Sequence, residues 1–365
     1  MSPTTIDTIY KYPRCRMLAV MDRIGQPGGA YGTYAALVKA TAQPPPDFVP
    51  DLTGTQPVFR PTPRASWSNG SIVTFDPRGF EVDSATKPTM AITRAQLNIP
   101  EMPSLRRDGT VVTEAGEIVV TKIAIDAVWD LPGLAKRLGV QESVLRQHLH
   151  EQCPHEGLLD PKRTHYYPPI GGLTAYVFGD PERLADPTST VTVRPHDECN
   201  GSDVFGSDIC TCRPYLMYAV QKCVETAQAG GVGLVVYFRK EGRALGEVTK
   251  YLVYNARQRQ EGGDRSEAYF ERTSVVAGVE DARFQSTMPD VLVWLGIQHI
   301  TNLVSMSAEK HEAIRSAGIR VDTRVALPEA LIPRGATVEI DAKVAAGYFG
   351  TSASVSTVPS SSKKS

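Results

Sequence analysis

An excess of charge of either sign is the first thing this sequence lacks. Its 365 residues carry 39 Lys and Arg against 40 Asp and Glu, for a formal net charge of -1. That balance excludes the globally basic surface with which proteins hold nucleic acid or anionic membrane. Long apolar runs are missing too. No stretch approaches the roughly 18 to 20 residues that span a bilayer, and residues 17–21 are too short for the apolar core of a secretory signal. Cysteine is scarce at six residues, which excludes a disulfide scaffold and points to a reducing, cytoplasmic setting. Phosphate-loop signatures are absent as well. The glycines at 25, 28, 29 and 32 fit neither G-x-x-x-x-G-K-[ST] nor G-x-G-x-x-G, and read as a turn.

What is present divides the chain. At this length about two domains are expected, because single cores stop growing at roughly 250 to 300 residues. A helix is expected through residues 35–38. Seven prolines between Pro44 and Pro63 exclude long helices and central strands there and indicate an extended surface segment. Short β-rich pieces follow from 72 to 125, notably 111–112 and 118–123. Residues 131–150 read as two short helices joined at Gly139, a helix-turn-helix-like pattern. Lys136, Arg137 and Arg146 alone make no phosphate footprint, so the expectation is a helical packing corner. The second half alternates strands (173–178, 190–194, 234–238, 300–304) with helices (216–229, 251–256, 288–295, 309–316), which argues an α/β (α+β) fold. Residues 351–365 hold seven serines and read as a disordered tail.

Three of the six cysteines fall within fourteen residues. The string Arg194-Pro195-His196-Asp197-Glu198-Cys199 is followed, ten residues on, by Cys210-Thr211-Cys212. Three thiolates so close invite a borderline-soft cation, zinc first. Three protein ligands would leave a position for water, while His196 as a fourth would close the shell. Cys223 falls in the next helix, and Cys15 and Cys153 are distant. The alternative is three ordinary buried cysteines, against which stand the polar neighbours Asp208, Thr211 and Arg213. His196-Asp197-Glu198 also matches the H-x-E half of the zinc deaminase signature, but no P-C-x-x-C follows. His148, His150, His155 and His165 are too loosely spaced for a second metal site.

Taken with Arg239-Lys240-Glu241-Gly242-Arg243-Ala244-Leu245-Gly246, these strings resemble GTP cyclohydrolase II over residues 190 to about 325. Residues 200–207 and 241–254 are more similar to one branch, the uracil-catabolic cyclohydrolase II-like proteins, whose N-terminal extension resembles residues 20–170. The resemblance implies an α/β extension at 1–168 carrying the helical corner, a cyclohydrolase II-like catalytic domain at 169–348, and a tail at 349–365. It implies one Zn2+ per chain on Cys199, Cys210 and Cys212, with Glu241 and Arg243 from the E-G-R motif and Tyr254 beside the activated water. It further implies a D-x-R pair, Asp281 for proton transfer and Arg283 toward the substrate phosphate. A homodimer is implied too, with hydrolytic opening of the pyrimidine ring of UMP rather than the imidazole ring of GTP.

Departures from the parent pattern bear on the substrate. Tyr215 stands where the parent family has a Gln that helps read guanine, and a phenol lacks an amide's paired donor and acceptor. The T-N-N-P-x-K phosphate segment is replaced by residues 304–310, which keep Ser305, Ser307 and Lys310. With Arg194 and Arg243 these form the expected substrate-binding set, Arg243 and Arg283 holding phosphate or oxyanion charge. Zinc on three thiolates is a modest Lewis acid, so the activated water needs a proton acceptor, for which Glu241, Tyr254 and Asp281 are the candidates. Tyrosine, with a reference pKa of about 10, suits orientation or donation better than abstraction. Uracil is open to water at carbons 6 and 4, and attack is expected first at carbon 6. Two other functions compete with this one: a GTP cyclohydrolase releasing formate and pyrophosphate, and a DNA-binding regulator on a retired enzyme, using residues 131–150. Residue by residue, a Glu241–Arg243 surface pair and a core Tyr254 are the plain alternatives.

Overall fold

The computed structural model describes residues 105–349 except 126, with residues 23–25, 70–75, 90–96 and a few positions between 37 and 48. The apolar stretch at 17–21, most of the proline-rich segment, the glycines after Gly25 and the tail at 351–365 lie outside the described residues. Of the helix expected at 35–38, residues 37 and 38 are described and helical.

The strands in chain order are β1 (Arg23–Gly25), β2 (Met90–Gln96), β3 (Glu117–Ile125), β4 (Trp129–Asp130), β5 (His165–Tyr167), β6 (Leu173–Phe178), β7 (Val191–Asp197), β8 (Val232–Phe238), β9 (His299–Leu303) and β10 (Arg320–Arg324). The helices are α1 (Leu131–Leu138), α2 (Glu142–Gln152), α3 (Asn200–Asp203), α4 (Cys212–Gln228), α5 (Glu247–Arg259), α6 (Tyr269–Ala277), α7 (Asp290–Trp294), α8 (Ala308–Ser316) and α9 (Thr337–Ala345).

The main sheet has the order β10-β9-β7-β8-β6-β3-β2. It is parallel from β10 to β8 and antiparallel from β8 to β2, so the fold is mixed α/β. Strand β8 reads Val-Gly-Leu-Val-Val-Tyr-Phe and is buried along almost its whole length, the pattern of a central strand covered on both faces. Its neighbour β7 is buried as far as His196. The core between sheet and helices runs through Ile123, Val193, Leu234, Leu292 and Ile300. Phe75 meets Trp294 edge-to-face in that core, ring centroids 5.7 Å apart.

Element boundaries differ from the periodicity in instructive places. Helix α4 starts at Cys212, four residues before the expected 216, because Pro214 falls in its first turn, where a missing N–H costs nothing. Strand β7 runs on to Asp197, which carries His196 and Asp197 to the sheet's carboxyl edge. The helix expected over 288–295 shortens to Asp290–Trp294, with Pro289 capping it and a 3-10 turn over Gln285–Thr287 before it. Gly25 ends a strand paired to Tyr167 and is not part of a turn.

Helix α1 of the corner is capped at both ends. The Asp130 carboxylate accepts from Gly133 N, and Gly139 closes α1 at φ 69. The corner's guanidiniums turn inward. Arg146 is 4% exposed and donates to the carbonyls of Leu158, Asp160 and Arg163, while Arg137 pairs with Asp290. These are the bonds of a packing corner. They leave little of the basic face that the DNA-binding alternative would use.

Candidate active site

The cavity lies where the carboxyl ends of β7, β8 and β9 open beside one another, the usual ligand position in open α/β sheets. From the end of β7 the chain enters Cys199 and the short helix α3, then returns through Cys210 and Cys212 into α4. The three sulfurs lie within 4.8 Å of one another, and the Cys199 and Cys210 sulfurs are 3.7 Å apart. Cys199 and Cys210 are buried and Cys212 is partly so. The contact with Cys210, with burial behind it, pushes the Cys199 thiol up to about 12, and Cys210 and Cys212 stand well above the ordinary thiol range too. Three clustered thiols therefore resist ionising by themselves, whereas a coordinated dication deprotonates a thiol outright. Soft donors at this spacing fit a zinc-class ion.

His196 is otherwise engaged. Its Nδ1 lies 3.2 Å from Arg194 Nη2, which can only donate, so Nε2 carries the proton and donates to Asp203 at 3.0 Å. Burial lowers its pKa and keeps the ring neutral. Asp203 also accepts from Tyr237 Oη at 2.8 Å and from the Cys199 backbone N–H at 3.0 Å. The histidine thus braces the loop that presents Cys199, and among the described residues the metal-type cluster consists of three cysteines. An ion held there would have a fourth position open to solvent or substrate.

The expected site residues divide in two. Arg194, Tyr215, Glu241, Arg243, Tyr254, Arg283, Ser305, Ser307 and Lys310 all line the same cavity as the cysteines. Asp281 does not. Both its oxygens meet Arg283 Nε, at 2.9 and 3.0 Å, and it borders a separate depression against α8. Arg283 bridges outward to inward, reaching Asp197 at 2.7 Å. Lys310 donates to the same Asp197 oxygen at 2.7 Å and to the Pro195 carbonyl at 3.1 Å. Burial would push Asp197 up, but Lys310 and Arg283 together hold it far below the usual carboxylate range. Ser307 caps α8 by accepting from Lys310 N, and Ser305 Oγ accepts from Ser307 N. This segment is rigidly built rather than a loose row of donors.

Tyr215 gives its hydroxyl to the Val325 carbonyl at 2.6 Å, and the Arg194 guanidinium covers its ring at 4.2 Å. It therefore offers the cavity an aromatic edge and no free hydroxyl. Tyr254 is partly buried, with Lys250 and Arg257 over its ring at 5.8 and 5.2 Å, and that burial raises its pKa strongly, so it stays a proton donor. Arg243 sits against Tyr269 and Phe270 and donates to the Glu280 carbonyl.

Three cavity residues carry interactions that sequence reasoning passed over. Lys250 joins Glu241 at 2.8 Å to the Cys199 sulfur at 3.0 Å. Burial opposes its charge, but Cys199 and Glu241 hold it protonated above the ordinary lysine value. Glu241 also accepts from the Asn200 and Gly242 N–H groups, so the E-G-R carboxylate is tied into the loop that carries Cys199. Arg257 makes a bidentate pair with Asp264 at 3.0 and 2.6 Å. A signal for both existed, since Lys250 and Arg257 lie four before and three after Tyr254, on one helix face. Glu339, in α9, accepts from Thr211 N at 3.1 Å and pairs with Lys343. Nothing in its neighbourhood announced it.

A mixed α/β sheet with three clustered cysteines at its carboxyl edge makes a site that could hold a metal ion, and sequence comparison gives the family. Residues 170–326 match the family model described as GTP cyclohydrolase II, and residues 14–152 match the one described as GTP cyclohydrolase N terminal. The chain belongs to the GTP cyclohydrolase II-like family and is an enzyme of the cyclohydrolase class. Within that family it is 50% identical to "Uracil-regulated protein 1" of Schizosaccharomyces pombe over 347 residues, covering 89% of this chain and 79% of that one. It is 49% identical over 354 residues to the "Putative GTP cyclohydrolase URC1" of Lachancea kluyveri, covering 91% and 79%. The likeness to "GTP cyclohydrolase-2" of Neisseria meningitidis is 33% over 138 residues, covering 38% and 64%.

Proposed function

We propose that this enzyme is a zinc-dependent hydrolase that opens the uracil ring of UMP, leaving a urea on the ribose phosphate and releasing a three-carbon fragment. The observation that carries the reading is the three-cysteine cluster in a cavity whose base-reading position is the capped ring of Tyr215 rather than an amide. The two long relatives carry uracil in one printed name and GTP cyclohydrolase in the other, so the substrate must be argued from the site.

The reaction balances without an oxidant. One water adds at carbon 6 and the carbon 6–nitrogen 1 bond breaks to an aldehyde. A second water attacks carbon 4 and the carbon 4–nitrogen 3 bond breaks to a carboxylate. Two waters are consumed, and both ring nitrogens stay with carbon 2 as the urea. Zinc on Cys199, Cys210 and Cys212 would supply Lewis acidity and an activated water. Glu241, held by Lys250, is the carboxylate assigned to take a proton, and Tyr254 the group assigned to give one. Arg194, Arg243 and Arg283 supply the fixed positive field for phosphate and developing oxyanion.

The lining is rich in cations, seven Lys and Arg against four Asp and Glu. Arg257 and Arg283 are matched by Asp264 and Asp281 behind them. Arg194 and Arg243 donate to carbonyls rather than carboxylates, and they are the cations we assign to the substrate phosphate. We take residues 169–348 as the catalytic unit, working as a cytoplasmic homodimer that keeps its cysteines reduced. No helix among the described residues is long and apolar enough to cross a membrane.

The test is incubation of zinc-loaded protein with UMP, uridine, UDP and GTP, following base absorbance and product mass. UMP is expected to lose absorbance and yield a ribosylurea phosphate. GTP consumed to formate and pyrophosphate with UMP untouched would replace this reading by the parent activity.

A further inference from the structure

The family model for the catalytic domain ends at residue 326, yet the cavity does not. Residues 325–349 cross the carboxyl edge of the sheet and touch both walls of the site. At one end the Val325 carbonyl accepts the Tyr215 hydroxyl. At the other, Phe349 N donates to the Met306 carbonyl at 2.8 Å, in the segment that carries Ser305 and Ser307. Between them Gly335 lies against the metal loop so closely that a Cβ there would stand 2.7 Å from the Asp208 carbonyl oxygen. One turn later Glu339, 4% exposed, accepts the N–H of Thr211, the residue between the two ligand cysteines of the C-x-C pair. Its other oxygen pairs with Lys343 one turn along α9.

We propose that Glu339 is a positioning residue for the metal, fixing the Cys210-Thr211-Cys212 backbone through the Thr211 N–H, with Lys343 as the counter-ion that lets a carboxylate stay buried there. The proposal rests on the zinc reading above. A backbone N–H between two ligands has no helical partner at this point, because Thr211 is the cap of α4. If it were left to swing, both sulfurs would move with it. Partners one shell out from a metal commonly set its affinity in this way.

The test compares two neutral double variants of the full chain, read by cobalt rather than by turnover. Glu339→Gln with Lys343→Met removes both charges but keeps an oxygen acceptor for Thr211. Glu339→Leu with Lys343→Met removes the acceptor at similar volume. Cobalt affinity, measured by competition with a chelator, is expected to fall roughly 10- to 100-fold in the Leu/Met protein, and to stay within about threefold of wild type in the Gln/Met protein. The cobalt d–d envelope and thiolate charge-transfer bands should shift in the first and not in the second. Gly335→Ala, which leaves Glu339 intact but pushes α9 off Asp208, should change affinity and bands in the same direction as the Leu/Met protein. Equal behaviour of the two doubles, whether both like wild type or both impaired, overturns the proposal. A wild-type protein that binds no cobalt at its cysteines overturns the zinc reading along with it.

Discussion

Lys310 is 5% exposed, and its ammonium holds Asp197 and the Pro195 carbonyl. Burial drives its pKa down to about 8, with Arg283 and Arg194 adding to the fall and Asp197 opposing it. The unfolded lysine keeps its proton to about 10.5, so between those values the unfolded chain binds more protons than the folded one. Stability contributed by this group therefore rises as pH climbs from about 8 toward 10.5, and is lost as pH falls back through 8. Urea unfolding of wild type and Lys310→Met across that window should show the difference, wild type minus variant, increasing with pH. A flat difference would mean that Lys310 keeps its proton in the fold. The same geometry sets what the residue does, since two of its three N–H directions are already taken. The cysteine ligands were legible because a metal constrains spacing, and ten intervening residues are still local. Glu339 and Thr211 are 128 residues apart, and no local pattern encodes a bond across that distance. Asp281 shows the converse, for a motif position fixes neighbours in sequence but not which side of Arg283 the carboxylate takes.

At the scale of elements, the loop after β8 carries a run of left-handed residues. Gly242, Arg243 and Ala244 all have left-handed φ values, 61, 59 and 61 degrees, and Gly246 follows at 95. Two consecutive non-glycine residues there cost about 1 to 2 kcal/mol each. The loop offsets this with Ala244 N to Lys240 O, Leu245 N to Gly242 O and Gly246 N to Glu241 O, each at 3.1 Å. The reward is placement: Glu241 meets Lys250, and the Arg243 guanidinium lies between Tyr269 and Glu280. The glycine of E-G-R is required twice over, by its φ and by a Gly246 oxygen that a Cβ would approach to 2.5 Å. Gly242→Ala should cost about 2 kcal/mol or more in urea unfolding. Ala244→Gly, with nothing gained but freedom at a left-handed position, should be neutral or stabilising by about 0.5 kcal/mol. Equal losses in both would show that the loop is not strained as described. The periodicity of apolar residues placed β6 to the residue, because a buried strand between turns has clear ends. It did not find the left-handed run, which repeats nothing and pairs with nothing local.

Across the whole molecule, the N-terminal half joins the catalytic half through the β3–β6 pairing and the shared core, and one buried carboxylate adds a polar fastening. Asp290, 2% exposed at the start of α7, accepts from Val73 N at 2.7 Å and from Thr74 N and Oγ1 at 3.1 and 2.9 Å. Its other oxygen pairs with Arg137, whose Nη2 also donates to the Gly70 carbonyl at 2.7 Å. Two segments of the N-terminal half, 70–74 and α1, thus converge on one residue of the other half, 153 positions from Arg137. Sequence patterning reads a helical corner and an α/β unit separately, and takes Arg137 only as one of three bases too few for a phosphate footprint. Burial pushes the Asp290 carboxyl up despite these partners, so without Arg137 it would be a buried charge with backbone donors and no counter-ion. Arg137→Leu should therefore lose about 3 kcal/mol in urea unfolding, the low end for breaking a buried pair, since the arginine keeps some solvent contact. Adding Asp290→Asn should recover part of that loss, because an amide still accepts from Val73 and needs no cation. A loss that the second substitution deepens instead would mean that the halves are held by the β3–β6 pairing and the packing around Phe75 and Trp294, and that the ion pair is incidental.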